Sequence, residues 1–486
     1  MPPRPLPSPL LHPAAARRPG AGWRDIATWL LFALAALRGV LLLAHDPLLA
    51  LANNYDQVRY TACLGLYPYR PGVPPQQQNY QAPLRTYAFQ AQADAVCYWT
   101  SDLLFQGAAA AGYRLAEGLG GGPLHSVRSL AALRLAAWLL AALLLQRAWR
   151  RDGRSDLALA HAACVAVLAM DPVNTLLLGG WYAEAGALFF AWFAVGLAVL
   201  AAQRATPLRL LLLALAAFGL GTSKLQHLLL PLCLGGALLL PALWRTPRLW
   251  APLLALLLGG LPALALQAWQ MQRDNGMTAT IRLANNTDFV LSALLPASAD
   301  PARTAQRLGL DARCAAASGA SIYTVTEPAE QACPGIGGLS RVRALGLLGR
   351  EPGTLGRMLA RAPARLLPWI PDYLGVVEGG EVAPLPADVP SLDRLLGRRA
   401  GLAWGLLLAP LAGFLWLLLR GHAAAPSLAF AGLAATLALT VPVVSVFGDG
   451  YAELAKHAHL ALNAGAAWLL GAGVAALAGR RHRHVT

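Results

Sequence analysis

Charged side chains make up only 13% of the 486 residues, against 57% hydrophobic, at a mean hydropathy of +0.48. A soluble globular chain carries roughly 25% charged residues, so that class is excluded, and apolar runs of bilayer length point to a polytopic membrane protein. The net charge of +15 does not call for nucleic acid, because it comes from arginines beside the apolar runs and no nucleic-acid motif accompanies them.

Residues 1–25, rich in Pro, Ala and Arg as far as Gly22, read as a disordered cytoplasmic N-terminus. About ten membrane spans follow, near 26–44, 127–146, 156–171, 182–201, 207–222, 226–244, 250–270, 401–419, 427–447 and 457–479. The third and fifth are short. Spans one to seven form a membrane region over 26–270, interrupted by a loop at 45–125. A second loop segment covers 271–400, a second membrane region 401–479, and a tail 480–486. The first span resembles a signal peptide in place, but parity argues that it is retained, since its removal would turn the later arginine-rich loops outward.

Arginine orients the spans. Arg17, Arg18 and Arg24 precede the first. Arg147, Arg150, Arg151, Arg154, Arg204, Arg209, Arg245, Arg248, Arg420, Arg480, Arg481 and Arg483 then share one side if both termini are cytoplasmic. The two long loops fall on the outer side. Of the six cysteines, Cys164 and Cys233 lie in spans, whereas Cys63 and Cys97 share the first loop and Cys314 and Cys333 the second. Two per external segment is the pattern of one disulfide in each, in an oxidising compartment. Apolar spacing from Leu103 to Leu119 and from Leu345 to Leu367 predicts amphipathic helices on the membrane surface, covering a cleft.

Only two of the 39 basic residues are lysines, Lys224 and Lys456, each with a histidine close by, His227 and His457. A compact ammonium retained at two places suggests sites that a planar guanidinium would not serve. Both fall at outer ends of spans, among other polar groups. After the first span come Asn53, Asn54, Tyr55, Asp56 and Arg59. Asp171, Asn174, Trp181, Tyr182 and Glu184 lie between spans three and four. Ser223, Lys224, Gln226 and His227 lie between five and six, and Asp449, Tyr451, Glu453, Lys456, His457 and His459 between nine and ten. Ionisable groups at the edge of hydrocarbon are costly and mark function by default. The spacing of Asp449, Glu453, Lys456 and His457 predicts one face of a continuous helix. Glu453 would hold one cation while the other binds an anion; a self-satisfied structural cluster would look the same.

No phosphate-binding loop, His-Glu-x-x-His or Gly-x-Ser-x-Gly motif occurs. What remains is carboxylates able to act as a base, with Lys and His able to hold a phosphate. That set suits transfer of a group from a phosphate-linked donor to a hydroxyl. No acidic triplet marks a metal site, so no metal ligand is assigned and divalent-metal dependence is left open.

In this layout, from about residue 25 to 475, the chain resembles the bacterial integral-membrane glycosyltransferases of the GT-C class, and within it the branch of hexosyltransferases of cell-surface glycan assembly. The likeness rests on Asn53-Asn54-Tyr55-Asp56-Gln57-Val58-Arg59, Trp181-Tyr182-Ala183-Glu184, Ser223-Lys224-Leu225-Gln226, Gly448-Asp449-Gly450 through Lys456-His457, and Leu308-Gly309-Leu310. In the class, an acid in the first external loop is the catalytic base, and Asp56 is the matching position. Many members pair two acids there; here Asp46 stands ten residues earlier, at the end of the span.

The resemblance implies an all-α polytopic bundle in the bacterial inner membrane, with both termini cytoplasmic and the site facing the exterior. It implies inverting transfer of a hexose from a polyprenyl-phosphate carrier to a glycan or lipid-linked acceptor. Asp56 would be the base; Lys456, His457 and Arg59 would hold the departing phosphate; Lys224, Gln226 and His227 would bind donor. Glu184, Asp449 and Glu453 would act as supporting acids. A transporter or flippase of lipid-linked glycans would also gather such charges, though at mid-membrane depth and with internal repeats. A glycan polymerase or ligase is a nearer alternative.

Overall fold

The computed structural model describes residues 22–52, 55–73, 82–91, 97–273, 277–379, 382–421 and 423–480. Of the stretch 1–25 expected to be disordered, the part before Gly22 lies outside these described residues, as do Asn53, Asn54 and the tail arginines Arg481 and Arg483. Residues 22–25 are helical instead, because the apolar run recruits them as the first turn of its helix.

With no water in a bilayer core, a spanning chain must satisfy its backbone internally, and long apolar runs therefore become helices. In chain order α1 (Gly22–Ala44) leads to a short α2 (Tyr55–Thr61), strands β1 (Leu66–Pro68) and β2 (Thr86–Phe89), α3 (Leu103–Gly118), strand β3 (His125–Ser126) and α4 (Val127–Arg151). Next come α5 (Ser155–Cys164), extended by a π-helical turn Val165–Ala169, then α6 (Glu184–Gln203), α7 (Pro207–Ser223), α8 (Leu230–Trp244) and α9 (Trp250–Gln272). The second loop segment holds α10 (Met277–Thr287), α11 (Arg341–Arg350) and α12 (Pro352–Arg365). The chain ends with α13 (Ala400–Arg420), α14 (Ala425–Asp449), α15 (Leu454–His457) and α16 (His459–Arg480). Among the described residues, eight helices are long and apolar enough to cross a membrane, α8 being one when counted with the turn before it from Leu225, and α5 and α7 are shorter apolar helices. The protein is a polytopic, mainly helical membrane protein.

α7 packs between α6 and α9, and α14 touches α6, α8, α13 and α16. The α7–α9 crossing is tight enough to need glycine: a Cβ on Gly259 would stand 2.0 Å from the Ala214 carbonyl oxygen. Arg134, inside α4, is buried; it donates to the Leu178 carbonyl at 2.8 Å and pairs with buried Asp102 at the start of α3.

The two loop segments meet at one end of the bundle. Ala52 N donates to Gly375 O at 2.9 Å, Glu378 N to Leu48 O at 2.9 Å, and Arg85 Nε to Glu378 Oε2 at 2.9 Å. Both disulfides form, Cys63–Cys97 and Cys314–Cys333, while Cys164 and Cys233 are free. Helix α3 buries Phe105, Ala109 and Tyr113 and exposes Leu104 and Leu115, as an amphipathic helix does. The run Leu345 to Leu367 is divided between α11 and α12, because Pro352 starts a new helix.

One element departs from the all-helical expectation. β1, β2 and β3 form an antiparallel sheet of three short strands within the first loop, pairing Leu66 with Phe89 and Tyr87 with His125. Tyr67 and Tyr87 are buried, which is what half-buried strands want from aromatics.

Candidate functional site

At the loop-bearing end, each polar side chain reaches the site from an element whose regular structure stops there. Asp56 sits on α2. The Cys63–Cys97 bridge ties the turn after α2 to the irregular segment before α3, where Tyr98 N donates to Arg59 O at 2.9 Å. That segment is fixed in turn to the end of α7: Thr100 Oγ1 donates to Ser223 O at 2.6 Å and Ser101 N to Thr222 O at 3.2 Å. α7 ends because Thr222 and Ser223 return their hydroxyls to Phe218 O (2.8 Å) and Leu220 O (2.7 Å), competing with the helix ladder. Lys224 then adopts extended backbone. Glu184 opens α6, where the helix dipole favours a carboxylate.

The expected continuous helix from Asp449 to His457 does not form. α14 stops at Asp449, Gly450 takes φ +59, and α15 begins only at Leu454. A Cβ on Gly450 would lie 2.2 Å from Asp288 O, so the break is where the second loop segment docks. Ser292 Oγ accepts from Tyr451 N at 2.9 Å on the same contact. The break still turns Asp449, Glu453, Lys456 and His457 inward.

The result is one buried charge cluster. Lys456 Nζ donates to Asp56 Oδ2 at 2.9 Å and to Glu453 Oε1 at 2.7 Å, and lies 5.6 Å from the Tyr182 ring centroid. Arg59 pairs with the other oxygen of Asp56. Lys224 Nζ pairs with Glu184 Oε1 and lies 2.8 Å from His457 Nδ1. His457 Nε2 faces Asp449 Oδ2 at 3.0 Å and Glu453 Oε2 at 3.3 Å. Asp56, Glu184, Lys224, Asp449, Glu453, Lys456 and His457 are all buried, and Arg59 is half-buried.

Four carboxylates face three fixed cations, Arg59, Lys224 and Lys456, which leaves one negative charge for His457 to meet. Burial opposes charge on the imidazole and Lys224 repels it, yet hydrogen bonds to Asp449, Glu184 and Glu453 hold its pKa above the usual histidine range. Lys224 donates to Nδ1 only while that nitrogen carries no proton; protonating it shifts Lys224 wholly onto Glu184. Burial likewise opposes charge on Lys456, but Glu453 keeps its pKa well above normal, and Lys456 and His457 hold Glu453 below the usual carboxylate range.

Not every polar group singled out in the sequence joins this cluster. His227 is buried beside it, with Nδ1 3.0 Å from Ser223 Oγ and Nε2 without a hydrogen bond. Gln226 stands against Gly448, and its Oε1 accepts no hydrogen bond. Asp171 caps the short helix Pro172–Thr175, pairs with Arg38 at 2.8 Å and accepts from Leu392 N, so it joins elements of the fold. Asn174 pairs with Asn463 at 2.8 Å. Asp46 does not supply a second acid. Its side chain is 71% exposed and bridges Arg85 and Arg128, because the chain needs the stretch after α1 to pair with 375–378.

Two site neighbours escaped the sequence reading. Asp288, buried in the second loop segment, accepts from Ile322 N at 2.7 Å. Burial, then Asp449 and Glu453, push its pKa up to about 8. The polar run Asn285-Asn286-Thr287-Asp288 before an apolar stretch was a signal for it. Arg341 donates to Gly448 O at 3.0 Å over the Phe289 ring, and nothing in its sequence context marked it. Chain order showed no acidic triplet, but in space Asp449, Glu453 and His457 place three metal-ligand atoms within 4.8 Å of one another.

No curated protein and no solved structure matches the chain. A family model described as the YfdI N-terminal transmembrane domain matches residues 21–334. Asp56, Arg59, Glu184, Lys224 and both disulfides fall within the matched stretch, whereas Asp449, Glu453, Lys456 and His457 lie beyond it. With most of its length covered, the chain belongs to the family of the YfdI N-terminal transmembrane domain.

Proposed function

We propose that the protein is a membrane glycosyltransferase of the GT-C class, moving a hexose from a polyprenyl-phosphate carrier to a glycan or lipid-linked acceptor outside the cytoplasm. One observation carries the reading. Asp56, from the first loop, and Lys456, 400 residues later, meet at 2.9 Å in a buried cluster at the end of a helix bundle, where base and phosphate-binding cation have to be neighbours. Charges at the bundle end, rather than along its middle, also favour transfer over transport.

Lys456 and Arg59 engage both oxygens of Asp56. A donor phosphate competes for the same cations. Drawing Lys456 and Arg59 onto the phosphate releases the Asp56 carboxylate to accept the proton of the acceptor hydroxyl. The hydroxyl oxygen attacks the anomeric carbon, and the bond to the phosphate oxygen breaks with its electron pair leaving on polyprenyl phosphate. Lys456, His457 and Arg59 meet the charge that grows there. A single displacement inverts the anomeric centre. Glu184 and Asp449 orient the cations.

The test measures transfer and donor binding side by side on purified wild type and Asp56→Asn. Loss of a general base costs roughly 10²–10⁴-fold in rate, with donor affinity retained because ground-state contacts persist. Near-wild-type turnover in Asp56→Asn would exclude this mechanism.

A further inference from the structure

We propose that Asp449, Glu453 and His457 form a divalent-cation site. His457 Nε2 lies 3.0 Å from Asp449 Oδ2 and 3.3 Å from Glu453 Oε2, and all three residues are buried. Cations bound by imidazole and carboxylate at about 2.0–2.2 Å set neighbouring ligand atoms roughly 3.0–3.5 Å apart, which both carboxylates meet toward His457, and all three ligand atoms lie within 4.8 Å of one another. Two carboxylates and one imidazole suit Mn2+ or Zn2+ and leave coordination positions open.

A hydrogen-bonded imidazole would show similar spacing, so a second observation is needed, and Glu184 supplies it. Glu184 is 1% exposed, gives Oε1 to Lys224, and leaves Oε2 without a hydrogen-bond partner. Its carboxylate stands on the Nδ1 side of the His457 ring, with Oε1 3.5 Å from Nδ1. A cation on Nε2 places the ring proton on Nδ1, facing Glu184. Glu184 Oε1 then accepts from Nδ1–H in a carboxylate–imidazole–metal arrangement, and Lys224, turned off Nδ1, has the partnerless Oε2 of the same carboxylate to donate to. Asp449 is braced in the same manner: the Asn285 amide, turned nitrogen-inward, donates to Asp449 Oδ1 at 3.2 Å. With both ring nitrogens of His457 engaged, the cation would take over that residue's part beside the phosphate, sharing the cluster with Lys456 and offering an open position to a donor phosphate oxygen. That last role rests on the transferase reading; cation binding itself does not.

The experiment uses full-length protein, stripped with chelator, in detergent. Mn2+ is titrated alone and free ion is read by electron paramagnetic resonance, with thermal unfolding in parallel. Wild type is expected to bind one Mn2+ per chain and to unfold at higher temperature with it. Glu184→Gln, a positioning change, should lower affinity about 10–100-fold. Asp449→Asn should lower it at least about ten-fold. Glu453→Asp keeps a charge for Lys456 but withdraws the ligand oxygen by one methylene; it should fold and still lose affinity and the thermal shift. The proposal is overturned if wild type shows no saturable Mn2+ binding, or if all three variants bind as wild type does. Sugar transfer is not measured, so failure here leaves the transferase reading standing.

Discussion

Lys456 is the sharpest place to separate a structural cluster from a functional one. It is 3% exposed and donates to Asp56 at 2.9 Å and Glu453 at 2.7 Å. Lys456→Met fills nearly the same space with an adaptable side chain but leaves two buried carboxylates without their shared cation. Breaking a buried pair by removing one partner costs about 3–5 kcal/mol. The triple variant Lys456→Met, Asp56→Asn, Glu453→Gln neutralises all three groups at similar shape, which removes the unpaired carboxylates but takes a partner from Arg59 and from His457. Unfolding midpoints in detergent should therefore fall steeply in the single variant and return in part in the triple. Donor binding should weaken in both, because neither has the Lys456 ammonium for the phosphate, while Arg59, His457 and Lys224 remain. If the single variant loses less than about 1 kcal/mol, the charge coupling described here is wrong. If the triple variant binds donor as tightly as wild type, Lys456 serves structure alone.

Two further outcomes follow from particular contacts. Asp288 keeps its proton in the native state up to about pH 8 but releases it near the ordinary carboxyl value when unfolded. Stability should therefore fall as pH rises through that window, and Asp288→Asn, always neutral, should flatten the melting temperature measured from pH 5 to 9. Loop-closure entropy gives the Cys63–Cys97 bridge, at a separation of 34, about 4 kcal/mol and Cys314–Cys333, at 19, about 3 kcal/mol. Non-reducing peptide mapping should find both links, and Cys63→Ser/Cys97→Ser should be the more destabilised pair in unfolding measurements.

The helices were legible because in a membrane protein apolar length and backbone satisfaction set them together. The disulfide pairs were legible because each loop segment held only two cysteines. The site residues were legible as a set, since Asp56, Glu184, Lys224, Asp449, Glu453, Lys456 and His457 are costly wherever hydrocarbon begins. Their mutual geometry was not. The i, i+4, i+7, i+8 spacing suggested one helix, but Gly450, pressed against Asp288 O, breaks it, so convergence comes from a turn that spacing cannot encode. Asp46 departed from the paired acids of the resembling class by chain distance alone, and strand-like pairing with 375–378 is what carries it to the surface. Asp288 was missed because it lay in a segment read as an external loop, where an acid is unremarkable until its burial is known. The three-stranded sheet was missed because strands of two to four residues give too short an alternation to register.

The preference for lysine at two positions has a geometric reason that yields the final prediction. Lys224 sits where acceptors arrive from different directions, Glu184 Oε1 and the Nδ1 face of His457 at 2.8 Å, inside a space that leaves it 7% exposed. An ammonium directs three donors tetrahedrally from one small centre, whereas a guanidinium spreads five donors in a plane and adds bulk. Lys224→Arg preserves charge, so simple electrostatics predicts no effect. The geometry predicts otherwise: overpacking in a filled site costs about 1–3 kcal/mol, and the contact with His457 is lost. The assay pairs unfolding in detergent with the pH profile of sugar transfer, because a displaced His457 shifts the titrating limb while a purely local packing loss does not. An Lys224→Arg variant with wild-type stability and an unmoved pH profile would show that only the charge at this position matters, and the geometric account of both lysines would fall with it.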